Sequence, residues 1–389
     1  MKKARIAVVA LAVLMLFAAV SCKEPHVHSY GDPQVKDGKV IQVCECGDVK
    51  EVDGAVAVGT ESELRTAVEN GSKTIYLSDD VTLTGMMEIN GGKSVEINLN
   101  GKTISITDDR INIQNAKVFI EGKGELVRTG DTANSLFWLY GSMDDVQDYT
   151  VLTIGKDVTI RAPYAISVNK NSDKTNTEGR SCGVVVNLQG SIVAEVCGLY
   201  VNGTLKSSVC APVFNLTDVV VKSNGCGIYA AGYAKWNIKD TTIEGVGSAI
   251  EIRAGELNIE GGKYSASATP TAVAPNGNGT TSSGAAIAVA QHETQLPISV
   301  NISGGVFEGY SALYESNPQG NDADSIAKVK LNVVGGSFAS TASDKKCAVY
   351  SEDFTGFIVG GTYNSDPTAY VATGYKASES EGVWNVVAE

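Results

Sequence analysis

Histidine is nearly absent from this sequence: three residues in 389, and beyond His28 only His292. A body with one histidine has little room for imidazole acid–base chemistry, and a lone histidine is first a polar surface residue. Charge is sparse too, at 19 % of residues, and its balance is acidic, with a formal net charge of -13. A chain of this sign repels nucleic acid and anionic lipid, which removes both as partners. The apolar run Ile6–Val20 is too short and wrongly flanked to read as a membrane-spanning helix. What is plentiful is glycine, 42 residues, set between short runs of Val, Ile, Thr and Asn. That composition favours many short strands and tight turns over helices.

One short phrase recurs: Asn215 to Asp218, Asn237 to Asp240, Asn258 to Gly261, Asn301 to Gly304 and Asn332 to Gly335. The first three copies begin 22 and 21 residues apart, so a structural unit is stacked rather than a single globular core folded. Within each copy aliphatic residues alternate with polar ones, placing the aliphatics inward and the Asn and acidic residues at turns. Strand-like runs such as Lys73 to Leu77, Val95 to Leu99, Val118 to Glu121 and Val151 to Ile154 precede these copies. Thr60 with Glu63 has the form of a capping box, and Leu64, Ala67 and Val68 make one apolar face, so a short helix is expected there as a cap on the stack.

A second recurring element is a small residue, then Gly or Ala, then an aliphatic. It begins at Cys182, Cys197, Cys226, Ser248, Ala285, Ser311 and Cys347, with Cys210 as a variant. Two residues before an inward aliphatic should also face inward, so the cysteines are expected as a buried ladder of free thiols. Disulfides between coils are the alternative, admissible in an exported chain. The steps from Ser248 to Ala285 and from Ser311 to Cys347, 37 and 36 residues against 22 from Cys226 to Ser248, require loops to leave the stack. The loops are Ser267 to Ser283 and Asn317 to Ala327.

The N-terminus carries Lys2, Lys3 and Arg5, the apolar run, then Ala19-Val20-Ser21-Cys22. This is the pattern of a secretory signal, and its end resembles a bacterial lipobox, with Ala19 where leucine is usual. The resemblance implies lipidation of Cys22 and anchorage to a bacterial membrane, with export to the cell surface expected. Loss of three positive charges takes the formal net charge from -13 to -16. Domains are expected at residues 1–21 (signal), 22–54 (anchor, linker and a small Cys/His module) and 55–389 (repeat body). His26, His28, Cys44 and Cys46 supply the nitrogen and thiolate donors that zinc prefers. The segment resembles short bacterial surface modules with an early His and a later CxxCG; its own CxCG is one residue shorter. Zinc is the one cofactor these residues suggest, and a stalk with an ordinary Cys pair is the alternative.

Coils of 21 to 22 residues with inward aliphatics and protruding insertions resemble the right-handed parallel β-helix of pectate-lyase-like proteins, from about Ala55 to Glu389. GCGIYAAG, AIEIRAGELNI and AAIAVAQH resemble a family of bacterial surface β-helix proteins. So do the Gly-Gly-aromatic phrases ending at Tyr264, Phe307, Phe338 and Tyr363, and the tail SDPTAYVATGYKASESEGVWNVV. The resemblance implies an all-β fold and a surface location, and carries no reaction with it.

One residue beyond each inward aliphatic lie Tyr200, Phe214, Tyr229, Glu251, Ala288, Tyr314 and Tyr350, which in register form an outward aromatic stripe. Arg253, Gln291, His292, Glu315, Glu352 and Asp353 flank it. Aromatic faces stack on sugar rings and these polar groups bond hydroxyls, so Tyr200, Tyr229, Glu251, Arg253, His292, Tyr314 and Tyr350 are the candidate glycan site; plain sheet surface is the alternative. Catalysis is less well supplied. The adjacent pairs Asp79-Asp80, Asp108-Asp109 and Asp144-Asp145 point to opposite strand faces and read as turns. Polygalacturonase-type NTD, DD and HG signatures in their family order and a pectate lyase WIDH-type motif are missing. Non-catalytic binding or adhesion to a glycan or host surface is therefore expected. A polysaccharide lyase or hydrolase built on Glu251, Arg253 and His292 is the alternative, and a structural surface-layer role is third.

Overall fold

The computed structural model describes residues 27–72, 74–131, 134–270, 282–343 and 346–389. The chain divides into two compact units, Met1–Asp53 and Gly54–Glu389.

The described part of the first unit is an antiparallel sheet of three strands, Gln34–Lys36, Lys39–Val43 and Val49–Glu51. Asp37 and Gly38 join the first two with φ of 49° and 73°, the conformation a two-residue hairpin turn demands and that Asp-Gly adopts readily.

The second unit is a parallel β-helix, an all-β stack in which each coil contributes strands to three ladders. The first ladder has eleven strands, from Ala55–Val58 at one edge to Val329–Val333 at the other. The second runs from Val81–Leu83 to Thr362–Tyr363, and the third from Met87–Ile89 to Val349–Ser351. Two long strands, Val158–Asn169 and Ser191–Val201, turn the corner between the second and third ladders without a break. All three ladders are parallel until the hairpin Tyr375–Ser380 and Val383–Ala388, which pairs antiparallel with Thr362–Tyr363.

Inside, aliphatic columns from the three ladders meet in one core. Tyr264, Phe307, Phe338 and Tyr363 stack through it, with centroids 4.9, 4.7 and 5.0 Å apart. Each follows a glycine with positive φ: Gly262 at 90°, Gly305 at 115°, Gly336 at 111° and Gly361 at 99°. The Gly-Gly-aromatic phrase thus marks a sharp turn that throws the ring inward. The helix α1, Glu61–Glu69, forms with the expected capping box. Thr60 Oγ1 accepts from the Glu63 N–H at 3.3 Å, and the Glu63 carboxylate accepts from the Thr60 N–H at 3.1 Å. Leu64, Ala67 and Val68 are buried in the main core.

Four expectations are corrected. The repeated asparagines do not lie at turns. They sit in mid-strand on the outer side of the first ladder, and their side-chain amides form a chain from Asn332 through Asn301, Asn258, Asn237 and Asn215 to Asn187, with links of 2.9 to 3.5 Å. An amide both donates and accepts, so identical side chains stacked at strand spacing satisfy one another. Asn187, which the repeated phrase omitted, ends the series and donates to Thr153 Oγ1.

The cysteines are not an inner ladder. Cys197 and Cys226 pair in register but cluster with Tyr229 and Ala231, apart from the main core. The reason is a local break in alternation. A Cβ on Gly198 or Gly227 would run into Val221 or Ile243 of the core, and Leu199 and Ile228 are core residues as well. Two consecutive residues therefore face inward at this corner, and the preceding cysteine faces away from the main core, although Cys197 and Cys226 are buried free thiols as expected. Each thiol curls back on its own strand, Cys197 to the Leu199 carbonyl and Cys226 to the Ile228 carbonyl.

Cys182 and Cys210 leave the thiol slot altogether and form a disulfide. Each lies three residues ahead of a first-ladder pair, Val185 and Val213, in connecting segments outside the ladder strands. Phe214 also departs from the expected stripe: it pairs across the first ladder, buried, and stacks on Trp236 at 3.9 Å between centroids.

Candidate functional site

The third ladder does place Tyr200, Tyr229, Glu251, Ala288, Tyr314 and Tyr350 in one outward column, each paired with the next. Their surroundings differ from a binding stripe. Tyr229 is 3 % exposed, and Glu251 and Arg253 are fully buried. The stripe is broken into two aromatic pairs, Tyr200 with Tyr229 at 5.5 Å and Tyr314 with Tyr350 at 5.1 Å, separated by buried Glu251 and Ala288. Tyr350 alone is open to solvent, and Tyr200 and Tyr314 are half-buried.

Glu251, Arg253 and His292 converge, but into the protein. Arg253 Nη1 donates to the Tyr229 hydroxyl at 3.1 Å, and its Nε lies 4.0 Å from Glu251 Oε1. Arg253 Nε also donates to the Ala290 carbonyl at 3.3 Å. His292 Nδ1 accepts from the Thr294 N–H at 3.2 Å. Burial and the Arg253 charge lower its pKa to about 4. Two connecting segments lie against this region. A Cβ on Gly203 would sit 3.2 Å from the His292 ring, so the chain after Val201 passes directly over it. Asn317 to Ala327, expected as a free polar loop, forms the short helix α2, Ala323–Ile326. Its Ser325 carbonyl accepts from Gln291 Nε2 at 3.0 Å, and Asn321 Nδ2 donates to Gln291 Oε1 at 2.9 Å. Glu315 shares a column with core residue Val289 and takes hydrogen bonds from the Ser351 hydroxyl and the N–H groups of Glu352 and Asp353. It holds a turn. Residues 271–281 of the other expected loop lie outside the described residues.

Sequence reasoning missed the open surface. Where the second ladder turns toward the third, a groove of about 590 Å³ crosses six coils. One wall is the outward column Val127, Arg161, Val193, Lys222, Glu244 and Ser265, each paired in register with the next. At roughly 4.8 Å between strands this column spans roughly 24 Å. Its floor is a column of small residues, Ala162, Ala194, Ser223, Gly245 and Ala266. A Cβ on Gly245 would collide with the Ser248 carbonyl, so the bend itself requires little side chain.

Cross-strand ion pairs order the wall, Arg161 with Glu125 at 3.0 Å and Lys222 with Glu244 at 3.1 Å. Val193 and Val246 are exposed beside them, and Glu195 and Asn224 add polar groups. Buried Arg128 also lines the groove, held by the carbonyls of Asp109 and Asp131 and the Asp131 carboxylate. The signal was present: a small residue three positions before each of Cys197, Cys226 and Ser248.

In the first unit, His28, Cys44 and Cys46 come together with their donor atoms within 4.8 Å of one another. The remaining expected ligand, His26, and the expected lipidation site, Cys22, lie outside the described residues. Hydrogen bonds from the Cys46 N–H and thiol lower the Cys44 pKa to about 6.

Fold and surface thus define a parallel β-helix with a grooved flank. No family model matches the chain, and neither a curated protein nor a solved structure matches it.

Proposed function

We propose that the chain is an exported protein, lipid-anchored through Cys22 and displayed at a bacterial surface, whose β-helix binds polysaccharide without cleaving it. The observation that carries the binding role is the groove along the second ladder. A linear polysaccharide repeats at close to the spacing of the strands, so residues in register meet successive sugars in like fashion. Arg161, Lys222, Glu195 and Asn224 supply hydroxyl partners, and Val193 and Val246 supply apolar contact for ring faces. Strands hold these groups more rigidly than loops do, which lowers the entropy lost on binding. Burial of Glu251, Arg253 and His292 supports the non-catalytic reading, because a polymer has no access to the acid–base constellation these residues form.

A glycan array followed by calorimetry on the ligand found tests this. Arg161→Ala/Lys222→Ala should weaken binding at least tenfold, while Tyr314→Ala/Tyr350→Ala leaves it within twofold. Equal binding by wild type and the groove variant removes the groove. Sustained release of reducing ends or unsaturated product from acidic polysaccharides overturns the non-catalytic reading.

A further inference from the structure

The first unit has very little interior. Among its described residues the buried apolar side chains are Val40 and Ile41, on a strand of five residues, and Cys44 just beyond it. So small a core does not hold a fold by itself, and domains of this size rely on disulfides or a structural metal. Cys44 and Cys46 are free thiols, and the disulfide among the described cysteines lies elsewhere in the chain.

The donors are arranged as a metal would require. Cys46 Sγ is 3.4 Å from His28 Nδ1, and a tetrahedral zinc with ordinary bond lengths holds its sulfur and nitrogen ligands about 3.5 Å apart. The turn that follows Cys44 sets both sulfurs on one side. The Gly47 N–H donates to the Cys44 carbonyl and the Cys44 N–H to the Asp48 carbonyl, both at 2.8 Å, with Gly47 at a φ of 87°. Backbone N–H groups of Cys46 and Ser29 are directed at the Cys44 sulfur, and that of Asp48 at the Cys46 sulfur. Such bonds orient thiolate ligands. The His28 ring stacks on Tyr30, with centroids 5.7 Å apart, and the Tyr30 hydroxyl donates to Asp48 at 2.5 Å.

We propose that His28, Cys44 and Cys46 form a site for a soft divalent cation of the zinc class, and that this metal staples the first unit. Cys44 and Cys46 bind as thiolates, two metal–sulfur bonds form, and any proton that either thiol still holds goes to solvent. A nitrogen of His28 gives the third bond. The fourth corner is left for water or a further donor.

The test uses the full chain, titrated anaerobically with cobalt(II) and then zinc(II), with metal content measured after desalting. One metal per chain, a thiolate-to-cobalt charge-transfer band and tetrahedral ligand-field bands are expected. Cys46→Ser and His28→Ala should each weaken binding at least tenfold, while Cys347→Ser leaves it unchanged. Hydrogen exchange of the Val40 and Ile41 amides should slow on adding zinc to the wild-type chain. Failure to retain stoichiometric metal, full affinity in Cys44→Ser/Cys46→Ser, or a Cys44–Cys46 disulfide in anaerobically purified protein would overturn the proposal. The outcome is independent of whether the groove binds glycan.

Discussion

Arg253 donates to the Tyr229 hydroxyl from the next coil, 3.1 Å away, where both side chains are closed off from solvent. Two outward residues of a solenoid have thus become interior ones, and Glu251 lies beside them. Removing one member of such a buried charge pair leaves the other without its counter-ion. Arg253→Met should therefore destabilise the chain by about 3 to 5 kcal/mol, read as a fall in the urea midpoint. The double variant Glu251→Leu/Arg253→Met should recover most of that loss, since neither charge is then buried alone. Additive losses in the double variant would show that the two residues act separately.

His292 gives the stability a pH dependence of known sign. Its folded pKa is lowered to about 4 by burial and by the Arg253 charge, with Lys206 acting in the same direction and Glu293 against it. The unfolded chain titrates near pH 6.5 and so binds the proton more readily than the folded chain. The contribution is complete above that pH and is lost as pH falls toward about 4. His292→Gln should flatten the change in urea midpoint between those limits, and parallel curves for variant and wild type would count against it.

The cysteines should report the same burial by reactivity. Desolvation pushes the Cys197 thiol up to about 12 and Cys226 well above its ordinary value, so neither offers a thiolate at neutral pH. In the native, metal-free chain alkylation should fall on the Cys44–Cys46 pair, where Cys44 is the lowered thiol and Cys46 the exposed one, and be undetectable at Cys197 and Cys226. In denaturant without reductant, Cys44, Cys46, Cys197, Cys226 and Cys347 should all react while Cys182 and Cys210 stay linked. Peptide mass mapping distinguishes the sites, and free Cys182 would contradict the pairing.

Much of the fold was legible because a solenoid is encoded locally. Asn215, Asn237 and Asn258 recur at nearly the interval of one coil, and neighbours one coil apart are neighbours in space. The Tyr200, Tyr229 and Glu251 column followed from the same count. Period-two alternation failed where the backbone bends. Gly227 and Ile228 face inward in succession, and the cysteine before them was assigned to the wrong side. Phe214 was misplaced for a related reason: Cys210 stands ahead of a first-ladder strand, not a third-ladder one.

The candidate site was less legible than the ladder on which it was sought. Repeat spacing says which residues stack, because every coil meets the next through the same backbone hydrogen bonds. It says nothing about what crosses over an outward face, because the segment after Val201 and the one bearing α2 have lengths and contacts peculiar to single coils. The sequence by itself determined the solenoid, its inward aliphatic columns and the order of its outward residues. The tertiary structure alone decided that Glu251, Arg253 and His292 are enclosed, that Cys182 meets Cys210, and that the open groove lies on the second ladder, where small residues let the chain bend.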